Sequence, residues 1–423
     1  LFVFAAGVTV AGSIDGGAFG SDRLDFSSLG AITNVILTGA DGTGTESTAI
    51  AGGFSGIEDF RGTGTGDSFT GRDVASTWTI SSAVSTYSDG GSISFRDFAS
   101  VNGGSAADDF SILADVTLDI STGNGTNSVT VSNDRTLTGN ITGGLDADTV
   151  TLNTGAEVTG NVVTSDGNDS LVLSDGASVD GTFTAGAGND ALSFAGYLTA
   201  RDVTITAVNA TDGFDGTETA VAGGFTSVNS LTGSLTGSDA LTGLAATGAV
   251  WTIGQNGSYN AGGELLAISS FEDLTGSSAD DRFQFGSFGG GAVPQVTVSA
   301  GDGNDQLVAN VNGSDFFVTA GDEGTVTVRN AAATSSAVSQ FFDVESLVGN
   351  TGDDRFEFLN SGSLSGSIDG NVGNDTLIGD SDGNIFTVTT EDAGTLAGKV
   401  TGGFIEIENL AGGLASDTFN VNA

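Results

Sequence analysis

The sequence predicts an all-β solenoid, in which short strands and turns coil repeatedly around one narrow core. A phrase of ten residues occurs four times, at 122–131, 143–152, 164–173 and 185–194. Its anchor residues, spaced 21 positions apart, are Asn127, Asp148, Asp169 and Asp190. A fixed period of this size indicates repeats that stack on their neighbours and bury a shared core. Within each repeat, β-forming residues are broken by Gly, Asn and Asp, which is typical of strands and turns.

Within each repeat, apolar residues alternate with Thr or Ser. A period of two points Val, Leu and Phe toward the core and Thr or Ser toward solvent. Stacked parallel coils lie about 4.8 Å apart. We therefore expect one inward column two positions after the anchors, formed by Val129, Val150, Leu171 and Leu192.

Longer modules flank these regular coils and share aromatic and acidic phrases, such as DDRF at the end of 271–283 and near the end of 341–356. Because no Pro-rich or charge-rich linker separates them, we expect one continuous solenoid over 1–423. Its expected parts are long modules at 1–110, regular coils of about 21 residues at 111–200, and long modules again at 201–423. The chain opens without Met and stops inside a repeat, so we expect a segment of a larger protein.

The composition is strongly acidic, with 53 Asp and Glu against 10 Lys and Arg and a net charge of −43. Nucleic acid is therefore excluded as a partner, because binding it needs a cationic surface. No stretch is long enough to cross a membrane, so we expect no direct membrane insertion in this segment. Metal cations are the natural counter-ions, although acidity also serves solubility. The absence of Cys excludes disulfides and thiol chemistry.

Adjacent carboxylates raise the possibility of catalysis, because a pair of acids can cleave glycosidic bonds. The pairs are Asp108 with Asp109, Asp280 with Asp281, and Asp353 with Asp354. They recur at equivalent places in repeated modules, whereas a catalytic site is usually unique. In a strand, one member of each pair would point outward and the other inward. The chain also lacks His, so we predict that it is not an enzyme.

Two modules share the same aromatic residues: Trp78 corresponds to Trp251, and Tyr87 corresponds to Tyr259. In both modules a Gly-Gly step follows the Tyr. Such residues could stack on sugars. Because they recur in equivalent modules, we expect them to fill the core.

The Asp-centred phrases resemble the nonapeptide of calcium-binding RTX repeats, G-G-x-G-x-D-x-U-x. AGDGNDQLV at 300–308 lacks only the first Gly, and GNVGNDTLI at 370–378 lacks only the second. The resemblance implies calcium held between neighbouring turns by backbone carbonyls and the Asp carboxylate. RTX nonapeptides run in tandem, whereas here they occur once per coil or singly. The candidate ligands are Asp302, Asp305 and Asp375, together with Asp148, Asp169 and Asp190.

Electrostatics leaves two readings of these Asp residues open. Carboxylates stacked at the coil spacing would repel one another by roughly 1 kcal/mol or more per pair. A cation, or an Asn ladder from Asn168 and Asn189, would relieve that repulsion. Oxygen ligands favour calcium over zinc. In the alternative reading, Asp and Asn only form turns by bonding nearby backbone groups.

The chain as a whole resembles bacterial giant surface proteins, namely filamentous-haemagglutinin-like and autotransporter-type adhesins with RTX-like elements. DTVTLNTGAEVTGN at 148–161 is typical of their passenger repeats. The resemblance implies a right-handed parallel β-helix that is exported and displayed outside the cell or at its surface. It covers nearly the whole chain, and its motifs specify architecture far better than activity.

The expected function is that of a non-enzymatic structural protein, which forms a surface filament, stalk or coat through head-to-tail or lateral contacts with copies of itself. The alternative is an adhesin that binds host or surface glycans, followed by a polysaccharide-degrading β-helix enzyme. Uniform repeats favour the filament, whereas a unique insertion with exposed aromatic residues would favour the adhesin.

Overall fold

The computed structural model describes residues 1–254, 256–288, 292–331 and 336–422, and in this part of the chain it contains strands and turns but no helix. Strands of successive coils pair in parallel, one above another. The predicted all-β parallel solenoid is therefore confirmed, while its right-handed sense stays a prediction. The described residues accordingly hold no helix that is long and apolar enough to cross a membrane.

The chain divides into two compact units. Unit 1 comprises Leu1–Thr199 and Asn209–Ser230, and unit 2 comprises Ala200–Val208 and Leu231–Ala423. The strands are numbered in chain order through both units, and β29 (Ser230–Thr232) straddles the boundary.

The strands of unit 1 are β1 (Phe2–Ala5), β2 (Ile14–Asp15), β3 (Arg23–Ser28), β4 (Asn34–Gly39), β5 (Thr43–Glu46), β6 (Phe54–Ser55), β7 (Asp59–Arg61), β8 (Ser68–Thr70), β9 (Ser76–Ile80), β10 (Ser85–Ser88), β11 (Ser92–Arg96), β12 (Ser100–Asn102), β13 (Asp108–Ile112), β14 (Val116–Thr117), β15 (Asp119–Ser121), β16 (Ser128–Val131), β17 (Thr136–Thr138), β18 (Ile141–Thr142), β19 (Thr149–Leu152), β20 (Glu157–Val158), β21 (Val162–Val163), β22 (Ser170–Ser174), β23 (Ser178–Val179), β24 (Phe183–Thr184), β25 (Ala191–Gly196), β27 (Phe214–Glu218) and β28 (Val221–Val228).

The strands of unit 2 are β26 (Asp202–Val208), β30 (Ala240–Thr242), β31 (Val250–Ile253), β32 (Gly257–Ala261), β33 (Glu264–Ser269), β34 (Asp273–Thr275), β35 (Arg282–Phe285), β36 (Thr297–Ser299), β37 (Gln306–Val308), β38 (Ser314–Ala320), β39 (Glu323–Arg329), β40 (Ser336–Phe342), β41 (Ser346–Val348), β42 (Arg355–Phe358), β43 (Ile368–Asp369), β44 (Thr376–Ile378), β45 (Ile385–Thr390), β46 (Ala393–Leu396), β47 (Val400–Ile405), β48 (Asn409–Ala411) and β49 (Thr418–Val421).

Each regular coil of unit 1 has three walls, formed by one strand of about four residues and two shorter ones. The first wall stacks β13, β16, β19, β22 and β25 in parallel. The second stacks β14, β17, β20 and β23, and the third stacks β15, β18, β21 and β24. Because every wall pairs with the coil above and the coil below, the strand backbone between the end coils is satisfied without helices.

The predicted inward column is confirmed in register and in burial. Val129 pairs with Val150, Val150 with Leu171, and Leu171 with Leu192, and none of the four side chains is more than 1% exposed. Phe110 continues the column beyond Val129. Burying one such side chain contributes about 1.5–3 kcal/mol, so the stacked columns supply most of the driving force for coiling.

Unit 2 repeats the same principle with larger side chains. One column runs through β31, β35, β37, β41, β43 and β47. A second runs through β26, β30, β34, β36 and β40, and a third through β38, β42, β44 and β48. Phe316 stacks on Phe356 within the third, at 5.1 Å between ring centroids.

The long modules differ from the regular coils because they insert antiparallel meanders into a wall. In β9–β10–β11, for example, Trp78 pairs with Tyr87 and Tyr87 with Ile93, while the outer two strands pair in parallel with other coils. The same arrangement recurs in β4–β5–β6, β31–β32–β33, β38–β39–β40 and β45–β46–β47. Gly262 and Gly263 turn one hairpin with φ of 62° and 93°, which suits a two-residue loop with both φ values positive.

The repeated aromatic residues lie in the core, as predicted. Trp78 stacks on Phe110 at 5.1 Å and 13°, and Trp251 stacks on Phe283 at 5.3 Å and 14°. Tyr87 and Tyr259 pack against these tryptophans edge-on. All four repeated aromatics are fully buried, so none of them offers a platform for sugar stacking.

The inward column makes a direct stability test possible. Leu171→Asp should lower the free energy of unfolding by about 3 kcal/mol or more, because it buries an unpaired charge in a packed column. Thr138→Asp, at an exposed position of β17, should change it by less than about 0.5 kcal/mol. Denaturant unfolding followed by circular dichroism measures both variants, and equal effects would contradict the register.

Candidate metal centres

The anchor residues of unit 1 form a ladder of hydrogen bonds between side chain and backbone. Asp148 Oδ1 accepts the N–H of Asn127 at 3.1 Å, and Asp169 Oδ1 accepts the N–H of Asp148 at 2.7 Å. Asp190 Oδ1 accepts the N–H of Asp169 at 2.8 Å. Each anchor immediately precedes the first-wall strand of its coil, so this ladder joins successive coils at the same corner.

Unit 2 contains ladders of the same kind, and two of them include the predicted ligands Asp305 and Asp375. In the first, the N–H of Asp281 donates to Asp305 Oδ1 at 2.6 Å, and the N–H of Asp305 donates to Glu345 Oε2 at 2.7 Å. In the second, the N–H of Asp354 donates to Asp375 Oδ1 at 2.7 Å, and the N–H of Asp375 donates to Glu408 Oε2 at 2.6 Å. One anchor oxygen is thus committed to backbone bonding, as the turn-forming reading expects.

The second anchor oxygen is satisfied differently in two kinds of corner turn. In the first kind, the N–H four residues before the anchor donates to Oδ2. Gly144 donates to Asp148 at 3.0 Å, and Asn350 donates to Asp354 at 2.9 Å. Asp108 and Asp281 receive such bonds too, from Gly104 and Ser277. The four donor residues have no positive φ, and both oxygens of these anchors have donors.

In the second kind of turn, backbone carbonyls face the anchor. Asn127 shows the arrangement, because its Nδ2 donates to the carbonyls of Gly123 at 3.1 Å and Gly125 at 2.8 Å. Gly123 has a positive φ of 77°, and a positive φ turns the adjoining peptide groups over. Asn384 bonds the carbonyls of Asp380 at 3.1 Å and Asp382 at 2.8 Å without a positive φ at either residue. An amide supplies the hydrogens that these carbonyls need.

Four Asp anchors stand where an amide would be required. The residue four positions before each has a positive φ, namely 72° at Ser165, 109° at Gly186, 102° at Gly301 and 66° at Asn371. The Oδ2 atoms of Asp169, Asp190, Asp305 and Asp375 are buried and lack a hydrogen-bond partner. Asp380 Oδ2 lacks one too, but it forms an ion pair with Lys399. A carboxylate carries no hydrogen to offer, so each of these turns leaves a buried oxygen without a positive group beside it.

A glycine two residues before each of these anchors lets the backbone approach the carboxylate. A Cβ on Gly373 would lie 2.6 Å from Asp375 Oδ1 and 3.0 Å from Oδ2, too close for any side chain. Gly167, Gly188 and Gly303 hold the same position with φ between 141° and 149°. Each turn therefore places its backbone close to the anchor, with no room for a side chain at the glycine.

Burial raises the pKa of these four carboxyl groups above the ordinary value of 3.8. The pKa rises to about 6 for Asp169, Asp190 and Asp375, and to about 7 for Asp305. The backbone N–H on Oδ1 acts in the opposite direction. Asp354, whose two oxygens both have donors, also has its pKa raised by burial to about 7. The two kinds of turn therefore differ in whether the Oδ2 atom of the anchor has a hydrogen-bond donor, and not in the pKa of the anchor.

Carboxylates beside the four anchors raise their pKa values further. They are Asp148 and Asp190 beside Asp169, Asp212 beside Asp190, Asp280, Asp281 and Glu345 beside Asp305, and Asp353, Asp369 and Glu408 beside Asp375.

The structure divides the six predicted ligands into three groups. Asp169, Asp190, Asp305 and Asp375 follow a positive φ four residues earlier and have an unpartnered oxygen. Asp148 occupies a turn of the first kind, and Asp302 is exposed at the tip of the turn before Asp305. Within the described ranges, no group of three or more His, Cys, Asp or Glu side chains could hold a metal ion. Any ion would therefore depend on one carboxylate and backbone carbonyls.

A sequence signal for the four unpartnered anchors exists. Each is the last residue of a Gly-Asn-Asp tripeptide, and the chain contains this tripeptide only at 167–169, 188–190, 303–305 and 373–375. The predicted Asn ladder is also present, because the N–H of Asn189 donates to Asn168 Oδ1 at 2.8 Å.

The acid pairs have the predicted alternation. Asp108, Asp281 and Asp354 are buried, whereas their neighbours Asp109, Asp280 and Asp353 are exposed. The buried members accept backbone hydrogen bonds at corner turns, and the same arrangement recurs in several coils.

Comparison with known proteins adds no family assignment: no family model matches the chain, and no curated protein matches it.

The raised pKa values give stability a defined pH dependence. In the presence of a chelator, we expect the melting temperature to rise as the pH is lowered from about 8 to about 5. Folded-state values near 6 and 7 lie above 3.8, so in this window the folded chain binds more protons than the unfolded chain. The free energy of unfolding therefore falls as the pH rises through it. Differential scanning calorimetry measures the slope.

A pair of charge-matched variants separates this effect from relief of the overall negative charge. Asp305→Asn should flatten the slope, because it removes a group with a raised pKa. Asp302→Asn removes a charge from the exposed tip of the same turn and should leave the slope close to wild type. Equal slopes in the two variants would contradict the assignment.

Proposed function

We propose that this chain is a non-enzymatic extracellular structural protein, which forms a surface filament, stalk or coat by associating with copies of itself. Its coils repeat the same walls, with apolar columns inside and Thr, Ser and Asp outside. Its paired acids recur at equivalent corners, unlike the unique constellation that catalysis requires. The observation that carries the proposal is that the same walls repeat from coil to coil in both units, because a repeating surface suits contacts between like coils.

Strand β49 is paired along one edge only within the described part of the chain. It pairs in parallel with β45, and Phe419 stacks on Phe386 at 4.8 Å. Phe419 is nevertheless 46% exposed, and Val421 is 69% exposed. The N–H of Thr418 donates to the carbonyl of Asn384, just before β45, and the N–H of Asn422 donates to that of Val388 in β45. Because N–H groups alternate along a strand, those of Phe419 and Val421 face the open edge.

An open edge of this kind is a template for another strand. We propose that a further coil occupies this edge, either a coil of a second copy or a coil in which the chain continues. Where the coil belongs to a second copy, the head-to-tail contact is heterologous and does not close, so it produces a fibre.

The charge of the chain suits an extracellular setting with abundant divalent cations. A net charge of −43 keeps copies apart at low ionic strength, whereas salt and divalent cations weaken that repulsion. We therefore propose calcium as the physiological counter-ion, as the RTX-like phrases also suggest.

A proline substitution tests the assembly edge with little change to the coil itself. Val421→Pro removes an N–H that faces the open edge and leaves the bonds of Thr418 and Asn422 to β45 in place. We expect wild-type protein to form filaments in millimolar calcium and Val421→Pro to remain monomeric, as measured by sedimentation velocity and electron microscopy.

Val421→Ala is the matched control, because it removes apolar bulk but keeps the N–H. It should still assemble, with weaker association. Isolated wild-type monomers under these conditions, or filaments of undiminished length from Val421→Pro, would contradict the proposal.

A further inference from the structure

We propose that the side chains of Lys399 and Asp380 join in an intramolecular amide bond. Asp380 lies in the turn between β44 and β45, and Lys399 lies in the loop between β46 and β47. The bond therefore cross-links a corner turn of unit 2 to the meander β45–β46–β47 and closes a ring of chain over 380–399. The inference goes beyond the proposed function and does not depend on assembly or on metal ions.

The two reacting groups are in contact and largely removed from water. Nζ of Lys399 lies 2.5 Å from Oδ2 of Asp380, and the two side chains are 17% and 2% exposed. Despite this short distance Oδ2 accepts no hydrogen bond, so the contact is not that of an aligned ion pair. Because Cγ is one bond beyond Oδ2, Nζ is within about 4 Å of Cγ. This is close to the separation of about 3–3.5 Å from which bound groups react.

The residue types suit a covalent bond. Lys399 is the only Lys in the chain, and the other described ion pairs all contain Arg. Arg stays protonated, whereas a desolvated Lys amine can lose a proton and attack a carbonyl carbon. Since the chain has no Cys, an amide of this kind provides a covalent tie where a disulfide is excluded.

Two hydrogen bonds orient the pair for the reaction. The amine of Lys399 donates to the carbonyl of Asn360 at 3.2 Å, which holds Nζ in place. The N–H of Asp382 donates to Oδ1 of Asp380 at 3.1 Å. A donor at this position stabilises the negative charge that Oδ1 gains while Cγ is attacked.

The reaction is a condensation that balances without a further reactant. A proton passes from Nζ to Oδ2, which converts the ion pair into an amine and a carboxylic acid and removes two buried charges. The nitrogen lone pair then forms the Nζ–Cγ bond, and the Cγ–Oδ2 bond breaks. The hydroxyl group leaves with a second proton from the nitrogen, as one water molecule. Nothing is oxidised or reduced, and burial limits the access of water for the reverse reaction.

Equivalent hairpins show that this loop is tied down elsewhere by other means. In three antiparallel strand pairs a Gly pairs with a Phe, namely Gly44 with Phe54, Gly216 with Phe225, and Gly394 with Phe404. Two residues after these glycines stand Glu46, Glu218 and Leu396. The carboxylates of Glu46 and Glu218 accept backbone N–H groups of the loop that follows. Leu396 has no carboxylate, and its loop carries Lys399 where the first hairpin has Ala49.

Mass spectrometry of the intact chain tests the bond. Wild type should weigh less than its sequence by one water molecule. Trypsin should not cleave the denatured chain after Lys399, because an acylated lysine has lost its charge. Lys399→Arg keeps a cation beside Asp380 without a reactive amine, so it should have its full mass and be cleaved at this position. It should also melt about 5 °C or more below wild type, because no ring restricts its unfolded chain.

Two substitutions of the acid give opposite results. In Asp380→Asn the amine displaces ammonia in place of water, so the product should be identical in mass to cross-linked wild type and equally resistant to trypsin. Asp380→Ala has no carbon to attack, and it should keep its full mass and be cleaved after Lys399.

The rival is an ion pair that does not react. The inference is overturned if folded wild type, after prolonged incubation at neutral pH, keeps its full mass and is cleaved after Lys399. It is also overturned if Lys399→Arg has lost the same water molecule, because an Asp-Gly step such as 302–303 can lose water by closing on its own backbone. Both readouts are made on denatured chains, so the state of assembly does not affect them.

Discussion

The structure depends on the hydrogen bond between the backbone of one anchor residue and the side chain of the anchor in the next coil. At a corner the chain leaves one wall and enters the next, and the anchor N–H has no strand opposite it. The carboxylate of Asp169 supplies the acceptor for Asp148 at 2.7 Å. A slip of one residue would turn every inward side chain outward, so the bond fixes the register of the whole wall. Glu345 and Glu408 serve as anchors in the long modules, where the longer side chain reaches the same N–H.

Once one anchor oxygen is committed to that bond, the other determines the chemistry of the corner. Where the N–H four residues earlier points at the anchor, as Gly144 does at Asp148, the backbone supplies the donor that the Asp needs. Where carbonyls point at the anchor, as those of Gly123 and Asp380 do, the anchor must supply hydrogens. Asn127 meets this requirement with its amide. Asp169 and Asp305 each leave Oδ2 buried without a hydrogen-bond partner. Burial also raises the pKa of both residues.

Much of the architecture could be predicted from the sequence because a solenoid repeats its local rules. The spacing of 21 residues and the alternation of Val129 with its neighbours were sufficient to predict the inward column. The meanders could not be predicted in the same way, because alternation with a period of two is common to parallel and antiparallel strands. The two kinds of corner turn could not be predicted either, because the residue types at the turns do not reveal their backbone conformation. Ser165 and Asn371 adopt positive φ without being glycine, and nothing in the Asp148 phrase alone indicates that Gly144 turns its N–H inward.

The arrangement of the corners implies that the response of stability to pH is local to particular coils. In a solenoid, stability is approximately a sum of coil terms and nearest-neighbour terms. Among the successive anchors of unit 1, a backbone N–H donates to Oδ2 of Asp108 and of Asp148, and the amide of Asn127 donates to backbone carbonyls. The next two anchors, Asp169 and Asp190, each have an unpartnered Oδ2. These two share one ladder, and the charge of Asp190 raises the pKa of Asp169, so a proton on one carboxylate lowers the repulsion at the other. Loss of that proton as the pH rises destabilises 164–194 first, because the earlier anchors Asp108, Asn127 and Asp148 already have hydrogen-bond partners on both side-chain polar atoms. A chain built in this way can respond to pH at particular coils without losing its fold.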